Sequence, residues 1–145
     1  MQVKIKAFNE LNTKEYHQLL FLRVAVFVVE QNCPYQEVDA IDLQAMHLWL
    51  EEEGRPVAYA RVYEEDGHVH FGRVLVEQAS RHQGLGKKLL DEVLQWVRKN
   101  KPNQSILISA QYYLRHFYGS FGFQESSSVY LEDGIKHIEM KKTWP

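Results

Sequence analysis

Apolar and polar residues alternate from Val3 to Phe8, and the positions Val3, Ile5 and Ala7 predict a strand with one buried face. Lys14 to Val29 predicts a helix. Asn12 or Thr13 can cap it, and Tyr16, Leu19, Leu20 and Leu22 open a broad apolar surface. Its final stretch, Val24 to Val29, is apolar and β-branched and also suits a buried strand; the lack of a breaker before Pro34 favours helix. Gln31 to Ala45 reads as an acid-rich loop or short helix. Three strand-like runs follow, Met46 to Glu51, Pro56 to Tyr63 and His68 to Val76, and the hairpin signals Gly54-Arg55 and Asp66-Gly67 between them predict an antiparallel meander. The clearest helix is Gly84 to Asn100, where Leu85, Leu89, Leu90, Val93, Leu94 and Val97 recur at helical spacing. Ser105 to Ala110 predicts a strand and Tyr112 to Phe121 a helix. Ser127 to Leu131 and Lys136 to Lys142 predict a closing hairpin across Asp133-Gly134. This order implies a mixed α+β or α/β sheet with helices packed on it.

A chain of 145 residues has the length of a single domain, residues 1–145. The net charge of −2 and pI of about 6.4 give no field that would concentrate nucleic acid, and the lysines fall in small groups rather than a tract. No apolar run approaches a membrane span, and the N-terminus lacks the apolar core of a signal peptide. Cys33 is the sole cysteine, so no intrachain disulfide can form and nothing points to secretion; the expected location is the cytoplasm.

The most informative segment joins the strand ending Val74-Leu75-Val76 to the longest helix, through Arg81-His82-Gln83-Gly84-Leu85-Gly86-Lys87. A helix N-terminus offers unpaired N–H groups and about half a positive charge, and glycine lets a phosphate approach the backbone closely. The spacing matches neither of two common phosphate loops. A Walker A motif needs four residues between its glycines, and a dinucleotide fingerprint needs a glycine where Leu89 stands.

Arg81-x-x-Gly84-x-Gly86 after this strand resembles the coenzyme A motif of the GNAT (Gcn5-related) N-acetyltransferases, and the element order is similar along nearly the whole chain. Leu114-x-x-Phe117-Tyr118-x-x-Phe121-Gly122-Phe123 resembles the last-helix motif of that family. Leu22-Arg23 through Cys33-Pro34-Tyr35, followed by Asp39, Asp42 and His47, is similar to the ElaA-like subgroup, as is Glu132-Asp133-Gly134-Ile135 with His137 and Met140. The resemblance implies a GNAT-like fold: a mixed, mostly antiparallel central sheet of about six to seven strands flanked by helices. It also implies acetyl transfer from acetyl-CoA to an amine by direct attack, with no metal.

On this basis, Gln83, Gly84, Leu85, Gly86 and Lys87 are expected to donate backbone N–H groups to the pyrophosphate, and Arg81 to add charge. Leu75 and Val76 would pair with the pantetheine arm like an added strand. The family's bulge would splay their strand from Ser105 to Ala110, and an N–H near Val76 would polarise the thioester. Tyr118 matches the family's proton donor to the departing thiolate, or else is a core aromatic.

Glu30 is the candidate base. Arg23, Phe27 and Glu30 would share one helical face, which equally permits a structural Arg23–Glu30 ion pair. Asp39, Asp42 and His47 could line an acidic acceptor site, or be loop and strand residues, and His137 could shuttle a proton. The stretch Glu30 to His47 carries acids but no Lys or Arg, so it would favour a cationic amine. Other readings are a non-catalytic acyl-CoA sensor or partner-binding module, and an acyltransferase with another donor, resembling homoserine lactone synthases. The assembly would be a monomer or homodimer, and the acceptor a small molecule or a peptide.

Overall fold

The computed structural model describes residues 1–144; Pro145, the last residue of the expected domain, lies outside them. Strand β1 (Gln2–Ala7) runs through a short 3-10 turn to helix α1 (Thr13–Val24). Asn12 is the cap: its Oδ1 accepts from the Glu15 N–H at 2.7 Å, while Glu15 Oε1 accepts from the Asn12 N–H at 3.0 Å. This reciprocal pair satisfies two donors that the first turn leaves free.

The helix continues past Val24, but its pitch changes. From Ala25 to Glu30 it is a π-helix, with Gln31 N–H donating to the Val26 carbonyl at 3.2 Å and Cys33 N–H to the Val28 carbonyl at 3.1 Å, each five residues back. The expected continuous helix from Lys14 to Val29 is therefore helical throughout, with two geometries. The extra residue in the turn rotates Glu30 off the face that holds Arg23. A 3-10 turn, Ala40–Leu43, punctuates the acid-rich loop.

The meander follows as β2 (Met46–Glu52), β3 (Arg55–Glu65) and β4 (His68–Val76). Asp66-Gly67 forms the second turn with both residues left-handed, as a two-residue hairpin requires. The first turn is Glu53-Gly54, one residue ahead of the expected Gly54-Arg55. After α2 (Leu85–Asn100) come β5 (Ile106–Gln111), a 3-10 turn at Tyr112–Leu114 and the short α3 (Arg115–Gly119), in place of one continuous helix from Tyr112 to Phe121. Two short strands, β6 (Gln124–Glu125) and β7 (Tyr130–Glu132), precede β8 (Ile135–Lys142).

The eight strands make one sheet in the order β1-β2-β3-β4-β5-β8-β6, with β7 also paired to β8. All pairs are antiparallel except β4 with β5. The apolar stripe of α2 packs on one face, where Leu89, Leu90, Val93 and Val97 meet Leu48, Ala60, Val69 and Ile106. Helix α1 covers the other face of the meander with Leu19 and Leu22, and its π-helical continuation adds Val26 and Phe27, over Trp49, Tyr59 and Leu75. Among the described residues, no helix is long and apolar enough to cross a membrane.

Candidate active site

The parallel pair at the sheet centre is short. Strand β4 pairs with β5 only at Val69 with Ile106 and His70 with Leu107, and beyond that point no pairing joins the two strands. The cause lies on the other side of β4. Its register with β3 shifts by one between Tyr59–Leu75 and Arg61–Gly72, and Arg73 takes φ of +51°. A bulge of this kind adds a residue to one strand and increases its twist. The end of β4 therefore turns away from β5 and leaves a slot.

The backbone at the end of β4 faces that slot. Glu77 N–H donates to the Val57 carbonyl at 2.8 Å on the β3 side. Successive residues alternate the direction of their peptide groups along a strand, so Val76 directs its N–H and C=O toward β5.

The strand then leads through Gln78–Ser80 to α2, whose cap is Gly84 at φ +77° with no side-chain hydrogen bond. The first α-helical bond runs from Lys88 N–H to the Gly84 carbonyl at 3.1 Å. The N–H groups of Leu85, Gly86 and Lys87 thus precede the ladder and are free to bind an anion. A Cβ on Gly86 would lie 3.6 Å from the Phe117 ring and 3.9 Å from Val76 Cγ2. Glycine loop, strand end and α3 accordingly converge at one point.

Tyr118 follows Phe117 in α3, is 5% exposed, and packs against Phe71, Phe117 and Phe123. Burial, with Tyr113 nearby, pushes its phenol well above the ordinary tyrosine range, so it stays protonated and able to donate.

Glu30 is paired with Arg81 and not with Arg23. Arg81 Nη1 and Nη2 donate to the two Glu30 oxygens at 2.5 and 2.7 Å, and Arg81 Nε donates to the Val76 carbonyl at 3.0 Å. The hydrogen bonds from Arg81 hold the Glu30 carboxyl below its usual range.

Arg23, Asp39, Asp42 and His47 are brought together, but in a closed network. Arg23 is 0% exposed; its Nε donates to Glu37 Oε1 at 2.9 Å and its Nη1 to both Asp42 oxygens at 3.0 Å. Arg61 Nη1 reaches Asp39 Oδ1 at 2.7 Å and Asp42 Oδ1 at 2.8 Å. Arg73, on the bulge, pairs with Glu37 and stands 5.2 Å over the Tyr35 ring. Three guanidinium groups thus face three carboxylates.

The acid-rich loop is neutralised from β3, β4 and α1. The expected acidic acceptor surface does not form at Asp42, which is 1% exposed, and Arg23 and His47 are equally out of reach of solvent. His47 Nε2 faces the Asp42 carbonyl at 2.9 Å and must donate, so Nδ1 accepts from the Tyr59 hydroxyl at 2.6 Å. Burial lowers its pKa and keeps it neutral.

His137 lies apart from this network. It pairs across the sheet with Gln111 at the end of β5 and with Tyr130 on β7, stacking on the Tyr130 ring. Its Nδ1 is 2.8 Å from the Ile135 carbonyl and its Nε2 3.3 Å from Glu132 Oε2. Gln111 Nε2 donates to Gln31 Oε1 at 3.4 Å, joining β5 to the end of the π-helix.

Sequence reasoning missed Arg61, Arg73, Tyr59, Gln31 and Gln111. One signal was available: Arg61 interrupts the apolar run Ala58-Tyr59-Ala60-Arg61-Val62, and a charge there needs a buried partner. Among the described residues, no group of His, Cys, Asp and Glu could hold a metal ion.

A bulged central strand that parts from its parallel neighbour above a glycine-capped helix is the architecture of an acyl-CoA transferase fold, and an acetyltransferase (GNAT) domain description matches residues 10–144. The chain belongs to the GNAT acetyltransferase family. Within it the chain is ElaA-like: the Escherichia coli protein ElaA is 40% identical over 139 residues, covering 92% of this chain and 91% of ElaA. The ElaA crystal structure superposes with a TM-score of 0.92 over 97% of this chain and 98% of that one. An acyl-CoA N-acyltransferase from Pseudomonas aeruginosa, 40% identical, superposes at 0.94 over 99% of this chain and all of that one. A UPF0039 protein of Schizosaccharomyces pombe is 43% identical over 139 residues, 94% of this chain and 93% of that protein.

Proposed function

We propose that the protein transfers an acetyl group from acetyl-CoA to an amine, by direct attack within a ternary complex. One observation carries this reading: the slot opened by the Arg73 bulge ends at the free N–H groups of Leu85, Gly86 and Lys87. A pyrophosphate fits those donors, and a peptide-like pantetheine arm fits along the Val76 end of β4, whose backbone faces the slot, whereas Leu75 directs its N–H and C=O to Tyr59 on β3. Gln83 and Lys87 complete the loop around the phosphates. A metal is not needed, because the charge on the phosphates meets backbone dipoles.

The amine nitrogen attacks the thioester carbonyl carbon. As charge gathers on the carbonyl oxygen, the Val76 N–H is the nearest directed donor. The carbon–sulfur bond then breaks and the electron pair leaves with sulfur, which takes the Tyr118 proton; the nitrogen, made cationic by its attack, gives up an N–H proton that restores the phenol, so the products are the neutral amide and the CoA thiol. The attacking amine must first lose its own proton. Glu30 is engaged by Arg81 and is a weak base there, so that proton passes to water in the slot. His137 and Tyr130, on β8 and β7, line the acceptor side in place of Asp39, Asp42 and His47.

The test is incubation with acetyl-CoA and a panel of primary amines, among them amino acids, polyamines, aminoglycosides and peptides, read by release of free thiol. Thiol release that needs both the amine and Tyr118 supports the reading. Tight CoA binding with no transfer to any amine would favour a sensor that only holds acyl-CoA.

A further inference from the structure

Arg81 sits in the phosphate loop, yet its guanidinium is already engaged. Both terminal nitrogens serve Glu30, and Nε serves the Val76 carbonyl at the end of the bulged strand. Glu30 closes the π-helical turn, and the next residue, Gln31, reaches Gln111 on β5. Consecutive residues of one turn therefore hold the two sides of the slot. The Val76 carbonyl points into that slot; without a donor on it, its negative end would lie where the thioester oxygen gathers charge.

We infer that Glu30 and Arg81 act as one pair of positioning residues: Glu30 fixes the guanidinium, and the guanidinium caps the Val76 carbonyl and sets the strand end and phosphate loop for the thioester. This rests on the reading that acetyl-CoA occupies the slot. It removes Arg81 from the phosphate ligands and Glu30 from the proton acceptors.

The sign of one measurement separates these roles. If Arg81 bound phosphate, Glu30 would compete for it, and Glu30→Gln would tighten acetyl-CoA binding. If the pair positions the strand end, Glu30→Gln weakens binding, by about threefold to fivefold for a pair one-third exposed. Calorimetry with acetyl-CoA compares wild type, Glu30→Gln, Arg81→Lys, Arg81→Gln and the Glu30→Gln/Arg81→Gln double variant.

Arg81→Lys should bind as poorly as Arg81→Gln, because an ammonium keeps the charge but cannot span both Glu30 oxygens and the carbonyl. The double variant should bind no worse than Arg81→Gln, since the two residues act in series. Melting temperatures near wild type confirm that the exposed pair leaves folding intact. Tighter or unchanged binding by Glu30→Gln, or retention of affinity by Arg81→Lys, overturns the inference while leaving the acetyl-CoA site in place. A wild-type protein that does not bind acetyl-CoA overturns both.

Discussion

Asp42→Asn removes one charge from the buried network and nothing from its volume. In the native protein Asp42 Oδ1 accepts from Arg23 and Arg61, and Oδ2 accepts from Arg23 and from the Tyr16 hydroxyl at 2.5 Å. An amide nitrogen placed at either position meets Arg23 Nη1 donor to donor, so no rotamer of asparagine satisfies the site. Breaking a buried pair while leaving its partner costs about 3–5 kcal/mol. In a protein of this length each kcal/mol lowers Tm by about 2–4 °C, so the variant should melt about 6–20 °C early.

Thermal and urea unfolding at pH 7 read this directly, and acetyl-CoA affinity measured below the melting range should stay near wild type. Acid should act on the same group. Burial would raise the Asp42 carboxyl, but the Tyr16 hydrogen bond and the Arg23 charge outweigh it and set it below the ordinary aspartate value. Its contribution is therefore complete above about pH 4 and is lost as pH falls through the lower native value. Wild type should lose this increment in strong acid, and Asp42→Asn should not. A Tm shift under about 2 °C would refute the structural assignment and return Asp42 to the acceptor site.

Tyr118→Phe should lower turnover about a hundredfold with little change in acetyl-CoA affinity, because the hydroxyl acts as charge builds on sulfur; single-turnover kinetics check this. Gly86→Val should weaken CoA binding about tenfold by setting a branched side chain between the Phe117 ring and the free N–H groups of the loop, as calorimetry would read. His47 is buried and neutral, so below about pH 6.5 the unfolded chain binds a proton that the native one refuses. Stability should then fall by up to about 1.4 kcal/mol per pH unit until the native pKa is reached. Melting curves from pH 7.5 to 5.5 should slope less for His47→Gln than for wild type.

Local spacing along the chain was enough for the elements that depend on neighbours in sequence. The stripe of α2, the Asn12 cap, the turns at Asp66-Gly67 and Asp133-Gly134 and the glycines that open α2 are all short-range patterns. The π-helical turn is invisible to that reasoning, because Ala25 to Glu30 has the same apolar pattern in either pitch and tertiary packing selects the wider one. That choice turns Glu30 away from Arg23 and toward Arg81, fifty-one residues on.

The acids of the loop were legible as acids, but not their partners. Arg61 and Arg73 come from strands whose register, with its one-residue shift at the bulge, decides what they face. A run without Lys or Arg reads as a negative surface only while the rest of the chain is out of view. Charge in a sequence is additive along the chain, whereas in a fold it is cancelled by whatever the sheet brings within about 3 Å. Residue types and short spacings were therefore determined by the sequence alone. Which carboxylates stay open to a substrate was decided by long-range register and burial.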